Sequence, residues 1–157
     1  MTALVRPAAP DDVPALAELR WEFRAGRGAP AENHDAFVSR CTAWMRDELV
    51  TCESWRAWLA EIDGRIIAQV WVHTIPKVPN PVGERERHAY LSNLYVTPDA
   101  RGGVGTRLLD TAIDWCEGAG VDSILLQPTP LGRALYMRRG FSERIGFLEL
   151  KLPRRAT

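Results

Sequence analysis

The sequence has no apolar run long enough to cross a bilayer, and its opening residues, Met1 to Asp12, are too polar for a secretory leader. Both absences set the expectation of a soluble, cytoplasmic protein with no membrane partner. Cysteine is scarce: Cys41, Cys52 and Cys116 form an odd set with no C-x-x-C spacing. That argues against a disulfide framework or a cysteine zinc site and for free thiols in a reducing compartment. His34, His73 and His88 lie far apart, without an H-x-x-x-H pair, so no metal site is expected. There is no excess charge of either sign, with 20 basic against 20 acidic residues. A general attraction to nucleic acid is therefore excluded, and any anion site must be local. What is present is an ordinary apolar share, 46% of 157 residues, without repeats or low-complexity tracts. One domain spanning 1–157 with a sizeable core is the expectation.

Taken in order, Ala3 to Arg6 reads as a short strand ended by Pro7 and Pro10. Asp11 and Asp12 can cap a helix running to about Phe23, with Val13, Leu16, Ala17, Leu19 and the stem of Arg20 on its apolar side. Gly26 to Pro30 breaks it. A second helix spans His34 to Leu49, with Phe37, Cys41, Trp44, Met45 and Leu49 along one side. Trp55 to Ile62 and Arg65 to Ile75 flank Asp63-Gly64, a hairpin signal. A proline-rich loop, Pro76 to Gly83, suits the rim of a cleft. The next strand begins within Glu84 to His88 and runs through Tyr90 to Val96. Beyond Gly120, Val121 to Gln127 reads as a buried strand, Leu131 to Arg139 as a short helix, and Phe141 to Leu152 as one or two final strands with a hairpin about Gly146.

The most informative stretch joins the strand ending at Val96 to a helix over Val104 to Gly118 through Thr97-Pro98-Asp99-Ala100-Arg101-Gly102-Gly103. Val104, Leu108, Leu109, Ala112, Ile113 and Cys116 recur at helical spacing, with Arg107, Asp110, Asp114 and Glu117 on the other face. Glycines let the backbone approach a ligand, and the first amides of a helix have no internal partner. Phosphate suits that position, and Arg101 adds a full positive charge beside it. A pyrophosphate cradle follows. It is not a Walker loop, because no Lys-Ser/Thr follows the last glycine, and it does not match G-x-G-x-x-G.

Val96-Thr97-Pro98-x-x-Arg101-Gly102, the Gly-Val-Gly and Leu-Leu that follow, and downstream Leu135-Tyr136-Met137-Arg138-Arg139-Gly140-Phe141 resemble the two cofactor motifs of GNAT-type N-acetyltransferases. The glycine turn is one residue shorter than the usual pattern, Thr129 stands about where an Asn often does, and Gly132 replaces a usual Ala. The resemblance implies an α/β acyl-CoA N-acyltransferase fold. Its mixed central sheet is antiparallel in its N-terminal part, has a parallel splayed pair at the cofactor site, and is flanked by about four helices.

The implied enzyme is an acetyl-CoA-dependent N-acetyltransferase acting on a primary amine of a small molecule or peptide, by direct attack in a ternary complex. The resemblance assigns acetyl-CoA binding to Leu94, Tyr95, Val96, Arg101, Gly102, Gly103, Val104, Gly105, Thr106, Thr129 and Tyr136, with Arg107 beside the phosphates. Leu94 supplies an amide for the developing oxyanion, and Tyr136 is the general acid for the departing thiolate. A lysine-like amine is neutral only about once in a few thousand molecules at pH 7, an α-amine roughly a tenth of the time. A base is therefore useful, and His88, or alternatively Glu86, is within reach of the strand; Glu84 is a further carboxylate there. A homodimer is compatible with the family, and no stretch specifies one. A non-catalytic acyl-CoA sensor of the same fold is the second reading. It would keep the cradle without needing Tyr136. A nucleotide-binding scaffold gives no reason for the downstream motif.

Overall fold

Asp63 and Gly64 both adopt positive φ, 49° and 77°, the left-handed pair that a two-residue hairpin with native strand twist requires. In the computed structural model, which describes residues 2–100 and 102–153, this turn joins β2 (Trp55–Ile62) to β3 (Arg65–Pro76). β1 (Leu4–Pro7) pairs antiparallel with β2, and β4 (Arg87–Val96) antiparallel with β3. β5 (Ser123–Leu125) pairs parallel with β4, so sheet order follows chain order, β1-β2-β3-β4-β5. A short 3₁₀ turn, Pro10–Asp12, leads into α1 (Val13–Ala25); α2 (His34–Thr51) follows, capped by the Asn33 side chain on the Ala36 amide at 2.9 Å. α3 (Val104–Gly118) connects β4 to β5. The mixed α/β sheet matches the expected class.

The middle of the sheet is buried on both faces, which accounts for the nearly continuous apolar runs of β2 and β3. Alternation along β2 separates the two faces. Ala57 and Leu59 join Trp71, Val13, Leu16, Ala17, Cys41 and Met45 in one core beneath α1 and α2. Trp58 points the other way and packs on Trp115 of α3, ring centroids 5.6 Å apart. The α3 stripe of Val104, Leu108, Leu109, Ala112 and Cys116 is buried at the spacing expected from sequence. Arg6 forks between Asp12 at 2.7 Å and Glu61 at 2.8 Å, tying β1 to the turn before α1 and to β2.

The chain separates into two compact units, Met1–Gln127 and Pro128–Thr157. The second holds α4 (Arg133–Arg138), closed by Gly140 at φ 91°. Two expectations change. Phe141 to Leu152 forms no strand among the described residues. Its alternating Leu148, Leu150 and Leu152 are exposed, and alternation alone cannot make a strand without a neighbouring backbone to pair with. The strand expected over Val121 to Gln127 shrinks to three residues, because β4 offers no ladder partner beyond Tyr90.

Gln69 is fully buried and makes two hydrogen bonds: its amide nitrogen donates to the Leu16 carbonyl at 2.9 Å and its oxygen accepts from Trp71 Nε1 at 2.9 Å. Gln69→Leu would leave both partners unpaired in the core, and urea unfolding should report a loss of about 1–3 kcal/mol, with the midpoint falling and the slope unchanged.

Candidate active site

β4 carries the first half of the site. From Pro76↔Arg87 to Trp71↔Ser92 its register with β3 is regular, and it resumes at Gln69↔Tyr95 and Ala68↔Val96. Asn93 and Leu94 therefore stand together opposite Val70, a β-bulge, with Asn93 at φ 55°. On its other side β4 pairs with β5 only through His88, Ala89 and Tyr90. From Leu91 onward the strand runs free of β5, so the backbone of Leu94, Tyr95 and Val96 faces a sheet edge with no ladder across it.

The second half follows at once. Thr97 N–H bonds to the Ile67 carbonyl at 2.9 Å, and Ala100 N–H turns back to Thr97 at 3.0 Å. Arg65 pairs with Asp99, anchoring the loop to β3. Arg101 lies outside the described residues. Gly102 and Gly103 are exposed at φ 96° and 78°, with open space where a Cβ would stand. Gly103 is the N-cap of α3 and offers no side chain to its amides; the first helical bond is Arg107 N–H to Gly103 at 3.0 Å. The amides of Gly103, Val104, Gly105 and Thr106 thus form the positive end of a 15-residue helix beside a bare glycine surface. That arrangement fits a phosphate.

A cavity of about 440 Å³ opens beside the bulge. Its floor is Ser92 and Asn93; its walls are Arg20 from α1, Phe37, Arg40, Cys41, Trp44 and Met45 from α2, and Trp55 and Trp71 from the sheet. Trp44, Trp55 and Trp71 pack on one another with centroids 5.3 to 6.1 Å apart. Arg20 Nη1 donates to Asn93 Oδ1 at 3.3 Å. Arg40 is paired with Glu32. The Cys41 thiol is buried, which raises its pKa, so it stays protonated.

Comparison with known proteins decides the class. The family model described as acetyltransferase (GNAT) family matches residues 13–141. The chain belongs to this family. A predicted acetyltransferase with acetyl-CoA from Clostridium acetobutylicum is 25% identical with a TM-score of 0.80, over 96% of each chain. A GCN5-related N-acetyltransferase from Ralstonia eutropha is also 25% identical, with a TM-score of 0.78 over 96% of this chain and 99% of that one. A ribosomal-protein-alanine N-acetyltransferase from Brucella melitensis, 20% identical over 96% of this chain and 100% of that one with a TM-score of 0.72, shares the fold. No curated protein sequence matches.

Within this GNAT chain the structure brings together Leu94, Tyr95, Val96, Gly102, Gly103, Val104, Gly105 and Thr106, all on the β4–α3 connection. Tyr95 offers only its backbone there, because its ring stacks on Phe23 at 5.2 Å and its hydroxyl reaches Glu22 at 3.4 Å. Thr129 and Tyr136 belong to the second unit. Thr129 Oγ1 accepts the Gly132 amide at 3.1 Å, and a Cβ on Gly132 would stand 3.2 Å from that oxygen, a reason for glycine at that place. Tyr136 is buried against Phe141, and burial raises its phenol pKa, so the hydroxyl keeps its proton.

Four of the candidate side chains stand apart from the β4–α3 connection or are engaged elsewhere. His88 and Glu86 are not near Leu94: His88 is the second residue of β4, six residues away and so about 20 Å along an extended strand. Its Nδ1 is engaged with Ser123 Oγ at 2.7 Å. Glu86 accepts the Asn80 amide at 2.8 Å, and Glu84 pairs with Lys77 at 2.6 Å, so both carboxylates staple the proline loop. Arg107 is committed elsewhere, donating to the Ala3 carbonyl at 2.7 Å. In the sequence Arg20 reads only as a snorkelling stem and Asn93 only as part of a strand. The signal for Arg20 was an arginine in line with Val13, Leu16 and Ala17; for Asn93 there was none, since a bulge depends on register. Among the described residues no cluster suits a metal ion, and no helix is long and apolar enough to cross a membrane.

His34, at the start of α2, bonds Asp35 through Nδ1 at 2.8 Å and Glu18 of α1 through Nε2 at 2.7 Å. The Asp35 bond and then the Glu18 bond raise its pKa above the ordinary 6.5. A raised folded value means the favourable contact is fully present below pH 6.5 and fades as pH rises through the folded value. An NMR titration of the imidazole should place His34 above 6.5, and Glu18→Gln or Asp35→Asn should each lower it.

Proposed function

We propose that the chain is an N-acetyltransferase, one catalytic domain over 1–157, which transfers an acetyl group from acetyl-CoA to a primary amine of a small molecule or peptide by direct attack in a ternary complex. The observation that carries this is the junction at the bulge. A strand edge freed from β5 at Leu91 leads within a few residues into an uncapped helix N-terminus behind two open glycines. A pantetheine arm suits the first and a pyrophosphate the second. The family match runs from 13 to 141, across the boundary between the two compact units, in keeping with a single domain.

When bound, acetyl-CoA supplies an activated acyl carbon. The chain's own groups do the rest. The Leu94 amide, in the bulge and outside the regular ladder, is the donor for the acyl oxygen as it gains negative charge. The neutral amine forms the new C–N bond as the C–S bond breaks; its proton leaves to solvent, and the sulfur takes one from the Tyr136 hydroxyl. An amide and free CoA result. Tyr136 holds this role by its place in the downstream motif and by a phenol that stays protonated. Direct attack rather than an acyl-enzyme fits the only thiol lining the cavity, Cys41, whose raised pKa keeps it a poor nucleophile. The presence of Tyr136 also favours the enzyme over a non-catalytic sensor of the same fold.

Acetyl-CoA consumption, followed by thiol release against a panel of amines, amino acids and short peptides, should show turnover that requires an amine. Tyr136→Phe should lower kcat by about 10²-fold or more with little change in CoA affinity by calorimetry. Gly103→Val, which sets a β-branched residue at positive φ and fills the bare surface, should weaken CoA binding. Thiol release that ignores the amine, or no CoA binding at all, would overturn the proposal.

A further inference from the structure

The cavity beside the bulge has an electrostatic character that selects its occupant. Among the described residues its lining holds two guanidiniums and neither a carboxylate nor an imidazole. Arg40 is neutralised by Glu32. Arg20 is not: among the described residues no carboxylate pairs with it, and its polar contact is the neutral amide oxygen of Asn93 at the long distance of 3.3 Å. It is half-buried at the wall of an otherwise apolar and aromatic space. Burial, and then the nearby charge of Arg24, work against its own charge. A partly desolvated guanidinium with open donors is a carboxylate receptor, because the planar fork matches two carboxylate oxygens.

From this we infer that the acceptor is an aromatic α-amino acid, its carboxylate held by Arg20 and its ring among Trp44, Trp71 and Phe37. The inference rests on the acetyl-transfer reading above and names its substrate class. Three considerations converge on it. A volume of about 440 Å³ lies within the range of small-molecule sites, and the walls offer ring faces and edges rather than hydrogen-bond partners. Arg20 bonds Asn93, which adjoins Leu94, so a carboxylate on the guanidinium leaves an α-nitrogen only two bonds away near the strand edge. Finally, a cationic cavity without a base disfavours a bound ammonium. The guanidiniums work against the charge of an ammonium held beside them, so the amine sheds its proton there more readily than it does in water. The α-nitrogen would then form the C–N bond as the thioester C–S bond breaks, giving an N-acetyl amino acid and CoA.

The test compares L-phenylalanine with phenylalaninamide, which lacks the carboxylate charge, with phenethylamine, which lacks the carboxylate, and with glycine, which lacks the ring. Thiol release with acetyl-CoA should give a kcat/KM for phenylalanine roughly 10²-fold above each of the three. Arg20→Gln should collapse the ratio of acid to amide toward one, and Arg20→Lys should recover part of it. Thermal melting checks that both variants fold. A second readout needs no chemistry: phenylalanine should quench the emission of the tryptophans lining the cavity in the wild type and not in Arg20→Gln. Equal turnover of acid and amide by the wild type would overturn the inference and leave acetyl transfer standing. Arg20-dependent quenching without turnover of phenylalanine would keep the carboxylate site and overturn the aromatic amino acid as the acceptor, again leaving acetyl transfer to other amines standing. Neither quenching nor preference would overturn the inference outright.

Discussion

The site depends on one irregularity in β-pairing. Where β3 offers Val70, β4 offers both Asn93 and Leu94, and a strand cannot absorb an extra residue without bending. The bulge follows directly on the stretch where β4 has already left its ladder with β5, which has three paired residues. It puts Asn93 at positive φ, where its amide oxygen meets Arg20, and it makes Ser92 and Asn93 the floor of the aromatic cavity. The bulge thus lies between the free edge of β4 and the aromatic cavity. Asparagine tolerates the left-handed region better than most residues, so the local conformation is consistent with the residue found there.

Around that bend the rest of the fold is support. Gln69, buried one residue from Val70, bonds the Leu16 carbonyl and the Trp71 indole, which fixes α1 over β3 and holds a cavity wall in place. His34 clasps α1 to α2 through Glu18. On the opposite face α3 is seated by its apolar stripe and by Arg107 on the Ala3 carbonyl, so its free amides are carried by a packed element rather than a loose loop. Charge follows the same division. Carboxylates on the proline loop are engaged by Lys77 and backbone amides, whereas the charged groups that line the cavity among the described residues are guanidiniums. A cavity so arranged favours an anionic group over a cationic one.

How much of this could be read beforehand varies with the range of the interaction. α2 begins at His34 and α3 spans Val104 to Gly118, as their periodicity indicated, and the Asp63-Gly64 hairpin appears where the turn chemistry put it. Those signals act within a few residues. The final strands failed to form because the alternation of Leu148, Leu150 and Leu152 states only a preference; pairing needs a backbone supplied from elsewhere. His88 looked like a base because it was near in sequence, but an extended strand converts six residues into about 20 Å.

The sequence by itself determined the order of strands and helices, the left-handed turns and the glycine-bare start of α3, because each is set by local propensity and by sterics at single residues. It also carried the two motifs that mark the family. Only the tertiary structure decided which carboxylates were already spent, where β4 parts from β5, and that Arg20, Trp71 and Asn93 share one cavity. Those facts arise from register and packing between segments some 50 to 75 residues apart, as the Gln69–Leu16 and Arg20–Asn93 bonds illustrate.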